Sequence, residues 1–414
     1  MPRADTTAAA TSTGDRSRPR AVLPALCVTQ ITSWGVVYYA FPVLAPRISA
    51  DTGWPHSLVT AAFSLALLIS AAIGIPLGRA LDRRGPRVLM TAGSALGVLA
   101  MTGVASAPDV GVFLAAWAVA GVAMAATFYQ PAFAALTRWY GPARVRALTT
   151  VTLAGGLAST VFAPLTATLA NHLGWRGAYL VLAAILAAVT VPAHALALRA
   201  PWPSVSMDRA HSPTAGHDTT ARTRPFLLLT AAFTLSGFAV YAVVIGLVPL
   251  LTARGASTTT AAWALGLGGL GQTLGRTLYA TLARRTGPTT RTVTLIAAGG
   301  TTTALLAAVP GPLPLLIALA MLAGMVRGNI TLLQATAITD RWGATHYGHL
   351  SGLLAAPVTI AGALAPFAST ALAGPLGYPS LFALLACVSA MGAALACGAS
   401  PSTSAPAEAI TTAL

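Results

Sequence analysis

The chain of 414 residues is 56% hydrophobic and only 8% charged. Its mean hydropathy of +0.74 excludes a soluble globular protein, because so apolar a chain could not keep its surface out of contact with water. The formal net charge of +15 comes from 24 arginines without any lysine. In a membrane chain this charge indicates basic loops on one face, so no nucleic-acid partner is expected.

Apolar segments of about 20 residues, long enough to cross a bilayer, recur along the chain in two groups of six. The first group occupies residues 21–44, 58–77, 88–106, 111–136, 148–170 and 178–198. The second group occupies residues 226–251, 261–282, 293–309, 313–338, 350–372 and 381–397. The pattern predicts an all-α membrane protein with twelve transmembrane helices.

Polar stretches divide the chain into its predicted domains. Residues 199–224, rich in Ser, Thr, His and Pro, predict a cytoplasmic linker between an N-terminal bundle over 21–198 and a C-terminal bundle over 225–399. Residues 1–20 predict a disordered cytoplasmic tail, and residues 400–414 predict a second tail.

The distribution of arginine predicts the orientation. With a cytoplasmic amino terminus, nineteen arginines fall in cytoplasmic tails or loops, three fall outside, and Arg276 and Arg327 fall within helices. Since basic residues concentrate on the cytoplasmic side of membrane proteins, both termini are expected to be cytoplasmic in a multi-pass protein of the cell membrane.

A charged loop joins the second and third segments, and its pattern is a Gly, an Asp four residues on, a basic residue, a Gly and another basic residue. The matching residues are Gly78, Asp82, Arg83, Gly85 and Arg87. This loop resembles the signature of the major facilitator superfamily between helices two and three. The resemblance implies two bundles that rock in alternating access, with this motif gating the cytoplasmic face. A carboxylate among guanidiniums can make and break charge-assisted hydrogen bonds during such a motion. The alternative is an ordinary basic loop.

The two groups of segments resemble each other in sequence. Residues 162–175 recur as 364–378, which pairs Pro164 with Pro366, and a similar offset pairs Tyr38 with Tyr241. Parallel six-helix repeats place a binding site between them near the bilayer midplane. Because an arginine stands in the second copy where Asp82 stands in the first, the second gate is expected to be degenerate.

The predicted membrane interior has cations but no anions. All nine acidic residues fall in tails, loops or helix ends, which disfavours a cation transporter. No metal motif, paired acid or cysteine pattern indicates an enzyme, a metal site or a cofactor. An unpaired buried guanidinium costs at least about 2.5 kcal/mol, so Arg276 is expected to face a cavity and bind an anion, ideally a carboxylate. The alternative is that Arg276 snorkels to the cytoplasmic face.

Two helices carry a narrower resemblance. Gly275, Arg276 and Tyr279 in the eighth segment, and the run 127–131 in the fourth, resemble the branch that holds oxalate:formate antiporters and monocarboxylate transporters. The resemblance implies that Arg276 binds the substrate carboxylate and that Tyr129 contacts the substrate. The chain departs from that branch at Gln272, where proton-coupled members often carry an acid, and it lacks a second cation in residues 350–372.

Other polar residues complete the predicted site. Arg327 in the tenth segment is interpreted as a second substrate charge, the alternative being an arginine tied to backbone carbonyls at a glycine break. Gln30, Trp34 and Tyr38 share one helix face and either line the cavity or pack in the core. Three histidines at predicted helix ends are interpreted as loop residues, namely His194, His346 and His349.

The sequence predicts a secondary active transporter of a small, monocarboxylate-like organic anion. The expected partners are that substrate and the lipid bilayer, and the protein is expected to be a monomer. The predicted substrate-binding residues are Arg276, Tyr129, Arg327, Tyr38, Gln130, Asn329 and Gln272. Two alternatives remain open at this point: an efflux transporter of drugs or metabolites within the same superfamily, and a membrane sensor that does not transport.

Overall fold

The computed structural model describes residues 19–140, 144–202, 220–342 and 347–400. Within these ranges the regular structure is helical and contains no β-strand. The predicted linker and both predicted tails lie largely outside the described residues, as does His346.

The described helices form twelve rods that we number in chain order. The first four are α1 (Val22–Thr52), α2 (His56–Arg84), α3 (Pro86–Ser106) and α4 (Val110–Tyr140). Rod α5 comprises Arg144–Gly156 and residues 158–173, and α6 comprises residues 175–197 of the same long helix, Ala158–Ala197, which kinks at Gly174. The remaining rods are α7 (Arg224–Ala253), α8 (Thr258–Arg285), α9 (Pro288–Ala308), α10 (Leu313–Thr336), α11 (Tyr347–Leu376) and α12 (Tyr378–Cys397).

Length and composition identify nine membrane-spanning candidates among the described residues, and one of them, Arg146–Ala197, contains most of α5 together with α6. Rods α8 and α9 have the length of a span, 28 and 21 residues, but are more polar. The polarity of α8 comes partly from Gln272 and Arg276, which are buried against other helices. The predicted all-α membrane fold with twelve helices is confirmed.

Four turns with a left-handed glycine show the internal repeat in the backbone. Gly53 (φ +71°) follows α1, and Gly255 (φ +87°) follows the equivalent α7. Gly174 (φ +68°) follows α5, and Gly377 (φ +75°) follows the equivalent α11. Residues with a side chain rarely adopt these angles, so each glycine permits a tight turn at the same place in its half. We call this side of the bundle the Gly53 end and the opposite side the Arg84 end.

The fourth predicted helix is broken, and the break is joined to α1. Rod α4 consists of Val110–Thr127 and Tyr129–Tyr140, with Phe128 extended between them (ψ −162°). Pro131 has no N–H group to donate to the carbonyl of Thr127. The side chain of Gln30 on α1 takes its place, since Nε2 donates to this carbonyl at 2.7 Å. Next to this contact α1 contains a π-helical turn, Trp34–Tyr39, which contributes aromatic side chains to the space between the halves.

Hydrogen bonds join the two halves toward the Gly53 end. Ser64 on α2 accepts from the backbone N–H of Phe367 on α11 at 3.1 Å. Thr160 on α5 donates to the carbonyl of Gly266 on α8 at 2.8 Å. Residues farther along these helices, toward the Arg84 end, line a cavity, and beside it α5 and α8 stay joined by a hydrogen bond from Arg276 to the carbonyl of Thr152. The structure is therefore closed toward the Gly53 end, with the cavity beyond the closure.

Candidate functional site

A cavity of about 380 Å³ lies between the two halves. Helices α1, α2, α4 and α5 line it from the N-terminal half, and α7, α8, α10 and α11 line it from the C-terminal half. It brings together six of the predicted site residues, namely Arg276, Tyr129, Arg327, Tyr38, Gln130 and Gln272. No acidic residue is among the described residues that line it.

Arg276 connects the halves from the middle of α8. Its side chain is only 6% exposed, and Nη1 donates to the carbonyl of Thr152 on α5. Its Nε is buried without a hydrogen-bond partner among the described residues. A guanidinium that snorkels to the membrane surface would be hydrated, so this burial argues against the snorkelling alternative.

Two consecutive glycines on α5 make room for Arg276 and for Tyr129. A methyl group on Gly156 would lie 3.2 Å from Nη1 of Arg276, and one on Gly155 would overlap the hydroxyl group of Tyr129. Tyr129 begins the second part of α4, and its phenol is close enough to interact electrostatically with Arg276. Because glycine inside a helix costs roughly 0.5–1 kcal/mol relative to alanine, this pair was a sequence signal for a close contact that the sequence interpretation missed.

Arg327 lines the same cavity and is held by a neutral partner. Its Nε donates to Oε1 of Gln272 at 2.9 Å, while its Nη2 is buried without a partner among the described residues. The alternative interpretation placed Arg327 at a helix break with Gly324 and Gly328. However, α10 is continuous there, and methyl groups on these two glycines would overlap the backbone of Gly268 and Gln272 on α8. The glycines let the two helices pack closely.

Asn329 does not join the other predicted residues. It is two positions after Arg327, which places it on nearly the opposite face of the helix. Its Nδ2 donates to the carbonyl of Met325 at 3.0 Å, and it packs against Gly275 in the contact between α8 and α10. The structure thus places Asn329 outside the cavity lining and in a structural position.

Aromatic side chains form much of the N-terminal wall of the cavity. Trp34 stacks on Phe128 with ring centroids 4.1 Å apart and an interplanar angle of 18°. Tyr38 lies 5.4 Å from Trp34 in a tilted arrangement, and its hydroxyl group is buried without a partner among the described residues. Trp34 and Tyr38 therefore line the cavity, as one of the two interpretations of α1 proposed, and Phe128 was not foreseen.

The predicted gating motif lies at the Arg84 end. Gly85 adopts a left-handed φ of +77° between α2 and α3, where glycine is favoured. Arg83 is exposed, and Arg87 donates to the carbonyl of Ala195 in its own half at 2.9 Å. Gly78 lies in the last turns of α2, while the side chain of Asp82 lies outside the described part of the structure. The gating role stays a prediction.

The second half carries a charged cluster that the sequence interpretation missed. Arg291 at the start of α9 is 4% exposed and forms an ion pair with Asp340, which lies in a short helix after α10. Arg341 donates to Thr292 at 2.8 Å. Burial lowers the pKa of Arg341, and the charge of Asp340 opposes this shift. The C-terminal half has no acidic residue at the position equivalent to Asp82, but Asp340 supplies a carboxylate to this half from a different helix.

The interpretation of His194 as a loop residue was wrong. His194 lies inside α6 and is fully buried, and its Nδ1 is 2.8 Å from Oγ of Ser94 on α3. It does not line the cavity. The side chain of His349 lies outside the described residues.

Two helical halves of a membrane bundle with a cavity between them form the architecture expected of a membrane transporter. The chain belongs to the Major Facilitator Superfamily, whose family profile matches residues 26–315 and 243–412. Proteins of this family are membrane transporters, so membership indicates a lipid environment for the chain.

Monocarboxylate transporters are among the proteins that are similar to this chain in sequence. Monocarboxylate transporter 13 of Bos taurus is 29% identical over 256 residues, which cover 61% of this chain and 57% of the relative. Monocarboxylate transporter 11 of Homo sapiens is 35% identical over 164 residues, which cover 38% of this chain and 33% of the relative. The chain therefore spans little more than half the length of the first relative. These matches confirm the predicted resemblance to the branch that holds monocarboxylate transporters.

A solved structure has the same fold. The nucleoside transporter NupG, in a mutant form, superposes with a TM-score of 0.75, covering 90% of this chain and 98% of that chain. At 14% identity this similarity shows the fold alone.

Proposed function

We propose that this chain is a secondary active transporter that moves a small organic anion with one carboxylate across the cell membrane by alternating access. The observation that carries the proposal is Arg276, which is 6% exposed and lines a cavity without an acidic residue among its described lining. A carboxylate that docks there would neutralise a charge that the protein leaves uncompensated. Its planar oxygens match the guanidinium fork.

The position of Arg276 also supports a link between binding and movement. Its guanidinium belongs to α8 but donates to Thr152 on α5, so the same group touches both halves. An anion that accepts hydrogen bonds from the guanidinium would compete with the Thr152 carbonyl and alter this contact. We place the binding step at Arg276, assisted by Tyr129 and Arg327, with Gln272 holding Arg327 in position.

The proposed orientation of the protein in the membrane is based on the distribution of its arginines. We place the Arg84 end in the cytoplasm because most arginines lie there, which makes both termini cytoplasmic. Closure toward the Gly53 end would then correspond to a cavity accessible from the cytoplasmic side. We keep the bundle boundaries at 21–198 and 225–399 as proposed domains.

Flux measurements with purified protein in proteoliposomes test this function. The wild-type protein is expected to take up labelled monocarboxylates from a panel. Uptake is expected to fall at least about 100-fold in Arg276→Ala and to recover partly in Arg276→Lys, which keeps the positive charge but loses the two parallel N–H donors of the guanidinium. Arg285→Ala removes an exposed arginine of the same helix and serves as the control. Wild-type uptake in Arg276→Ala would refute the assignment.

The aromatic wall favours one rival, an exporter of amphipathic drugs. Such an exporter would move uncharged or cationic aromatic compounds, and removing Arg276 would not impair it. Extrusion of a cationic dye by both wild type and Arg276→Ala would support that rival.

A further inference from the structure

The two sides of the cavity differ in chemistry. The N-terminal half presents aromatic side chains, including Trp34 and Tyr38 on α1 and Phe128 on α4. The C-terminal half presents Arg276 and Arg327. A substrate with an anionic end and an apolar end would match both of these features.

The aromatic wall is held in place before any substrate arrives. Trp34 stacks on Phe128, and its indole Nε1 donates to Oε1 of Gln30 at 3.2 Å. The other polar end of Gln30 is tied to the backbone of the α4 break, at the carbonyl of Thr127. Because stacking and hydrogen bonds fix the rings, little conformational entropy remains to be lost when a flat group packs against them.

A second aromatic contact comes from the other half. Tyr241 on α7 lines the cavity and packs on Gly362 of α11, where a methyl group would lie 2.7 Å from the ring. Tyr129 likewise packs on Gly155. The glycines keep these rings against their own bundles, which leaves the space between the bundles open.

The volume of the cavity sets the size of its occupant. A cavity of about 150 Å³ is large enough to bind benzene, so a cavity of 380 Å³ can hold an aromatic ring together with a carboxylate group. A carboxylate of two or three carbons would leave more of this space unfilled, whereas ligands in binding pockets generally bury most of their surface against the protein.

We propose that the preferred substrate is an aromatic monocarboxylate, with its carboxylate on Arg276 and its ring against the wall formed by Trp34 and Phe128. This inference rests on the proposed function and narrows it to a substrate class. The positive charges select the anion, and the rings select a flat hydrophobic group over a short or puckered one.

A set of three acids with the same charge separates the effect of size from the effect of aromaticity. Phenylacetate and cyclohexylacetate have the same number of non-hydrogen atoms and the same charge, and lactate is a small monocarboxylate. In proteoliposomes containing the full chain, the KM for phenylacetate is expected to lie at least about ten-fold below that for lactate. It is expected to lie about three-fold or more below that for cyclohexylacetate, the size of effect that one aromatic contact provides.

Variants locate the preference in the wall. Phe128→Leu removes the stacked ring without removing a side-chain hydrogen bond, and it is expected to bring the phenylacetate and cyclohexylacetate KM values within about two-fold of each other. Trp263→Leu changes a tryptophan on α8 that is 51% exposed and outside the cavity, so the preference should remain.

The outcomes separate this inference from the proposed function. Lactate or cyclohexylacetate transported as well as phenylacetate in wild type would overturn the aromatic preference and leave anion transport standing. An unchanged preference in folded Phe128→Leu protein would also overturn it. Transport of none of the three acids would overturn both proposals. If the Phe128→Leu variant fails to fold, the comparison of the three acids in the wild-type protein still tests the aromatic preference.

Discussion

The substitution Gln272→Glu tests whether the cavity works through uncompensated positive charge. In the structure the amide of Gln272 accepts a hydrogen bond from Nε of Arg327 at 2.9 Å, so a neutral group holds the guanidinium. Glutamate has nearly the same shape, so the contact can persist while one negative charge is added. The substitution therefore changes the charge of the cavity with little change in its shape.

The size of the effect can be estimated from the geometry. Gln272 and Arg276 lie one turn apart on the same face of α8. A substrate carboxylate on Arg276 would then be on the order of 7 Å from the new charge. At an effective dielectric constant of 20 to 40 the repulsion is about 1.2–2.4 kcal/mol, which corresponds to roughly 10- to 50-fold weaker binding.

The assay is the concentration dependence of carboxylate uptake in proteoliposomes at constant pH. Gln272→Glu is expected to raise KM by roughly 10- to 50-fold. Gln272→Met removes the acceptor without adding charge, and it should leave KM within a few-fold of wild type. A KM for Gln272→Glu within about two-fold of wild type would refute a substrate anion bound at Arg276.

Three further predictions concern stability and movement. Asp340→Asn leaves the buried Arg291 guanidinium without its counter-charge and is expected to cost about 2–4 kcal/mol, seen as a lower Tm in detergent. Gly324→Ala places a methyl group against the backbone of α8 and should destabilise the protein by about 1–3 kcal/mol in the same assay, whereas Gly352→Ala meets no atom within 4 Å and should not. The hydroxyl groups of Thr60 and Thr370 hydrogen-bond across the halves, so the pair Thr60→Cys and Thr370→Cys is expected to stop transport when oxidised and to restore it when reduced.

Each of these predictions has an outcome that contradicts it. An unchanged Tm in Asp340→Asn would mean that Arg291 does not depend on the ion pair. Equal Tm values for the two glycine variants would mean that α8 and α10 do not pack as closely as the structure places them. Full transport by the cross-linked cysteine pair would contradict movement at the Gly53 end. The cross-link is best made after the three unpaired native cysteines are replaced.

The presence of Arg276 and Arg327 at the cavity was predictable from the sequence to the extent that charge and hydropathy are local properties. Arg276 and Arg327 stand in apolar segments without nearby acids, and such residues in membrane proteins almost always face the interior of the bundle or a water-filled cavity. This reasoning led to the cavity without knowledge of any contact. It could not indicate the hydrogen bond between Arg327 and Gln272, because that bond depends on how α8 and α10 are rotated against each other.

Asn329 shows why nearness in sequence was misleading. It was grouped with Arg327 because both are polar and lie in one segment, but two residues along a helix correspond to a rotation of about 200°. The pairing of Arg291 with Asp340 was missed for a related reason, since the two residues are 49 positions apart and meet only when α9 contacts the short helix after α10.

The sequence by itself determined the membrane fold, the two-fold repeat and the unpaired cations, because hydropathy, segment length and charge are read one segment at a time. Only the tertiary structure decided which side chains meet in the cavity. The break in α4, the π-helical turn in α1 and the glycine contacts between helices set the rotation and spacing of the rods. Those relations are properties of pairs of helices, so no single segment records them.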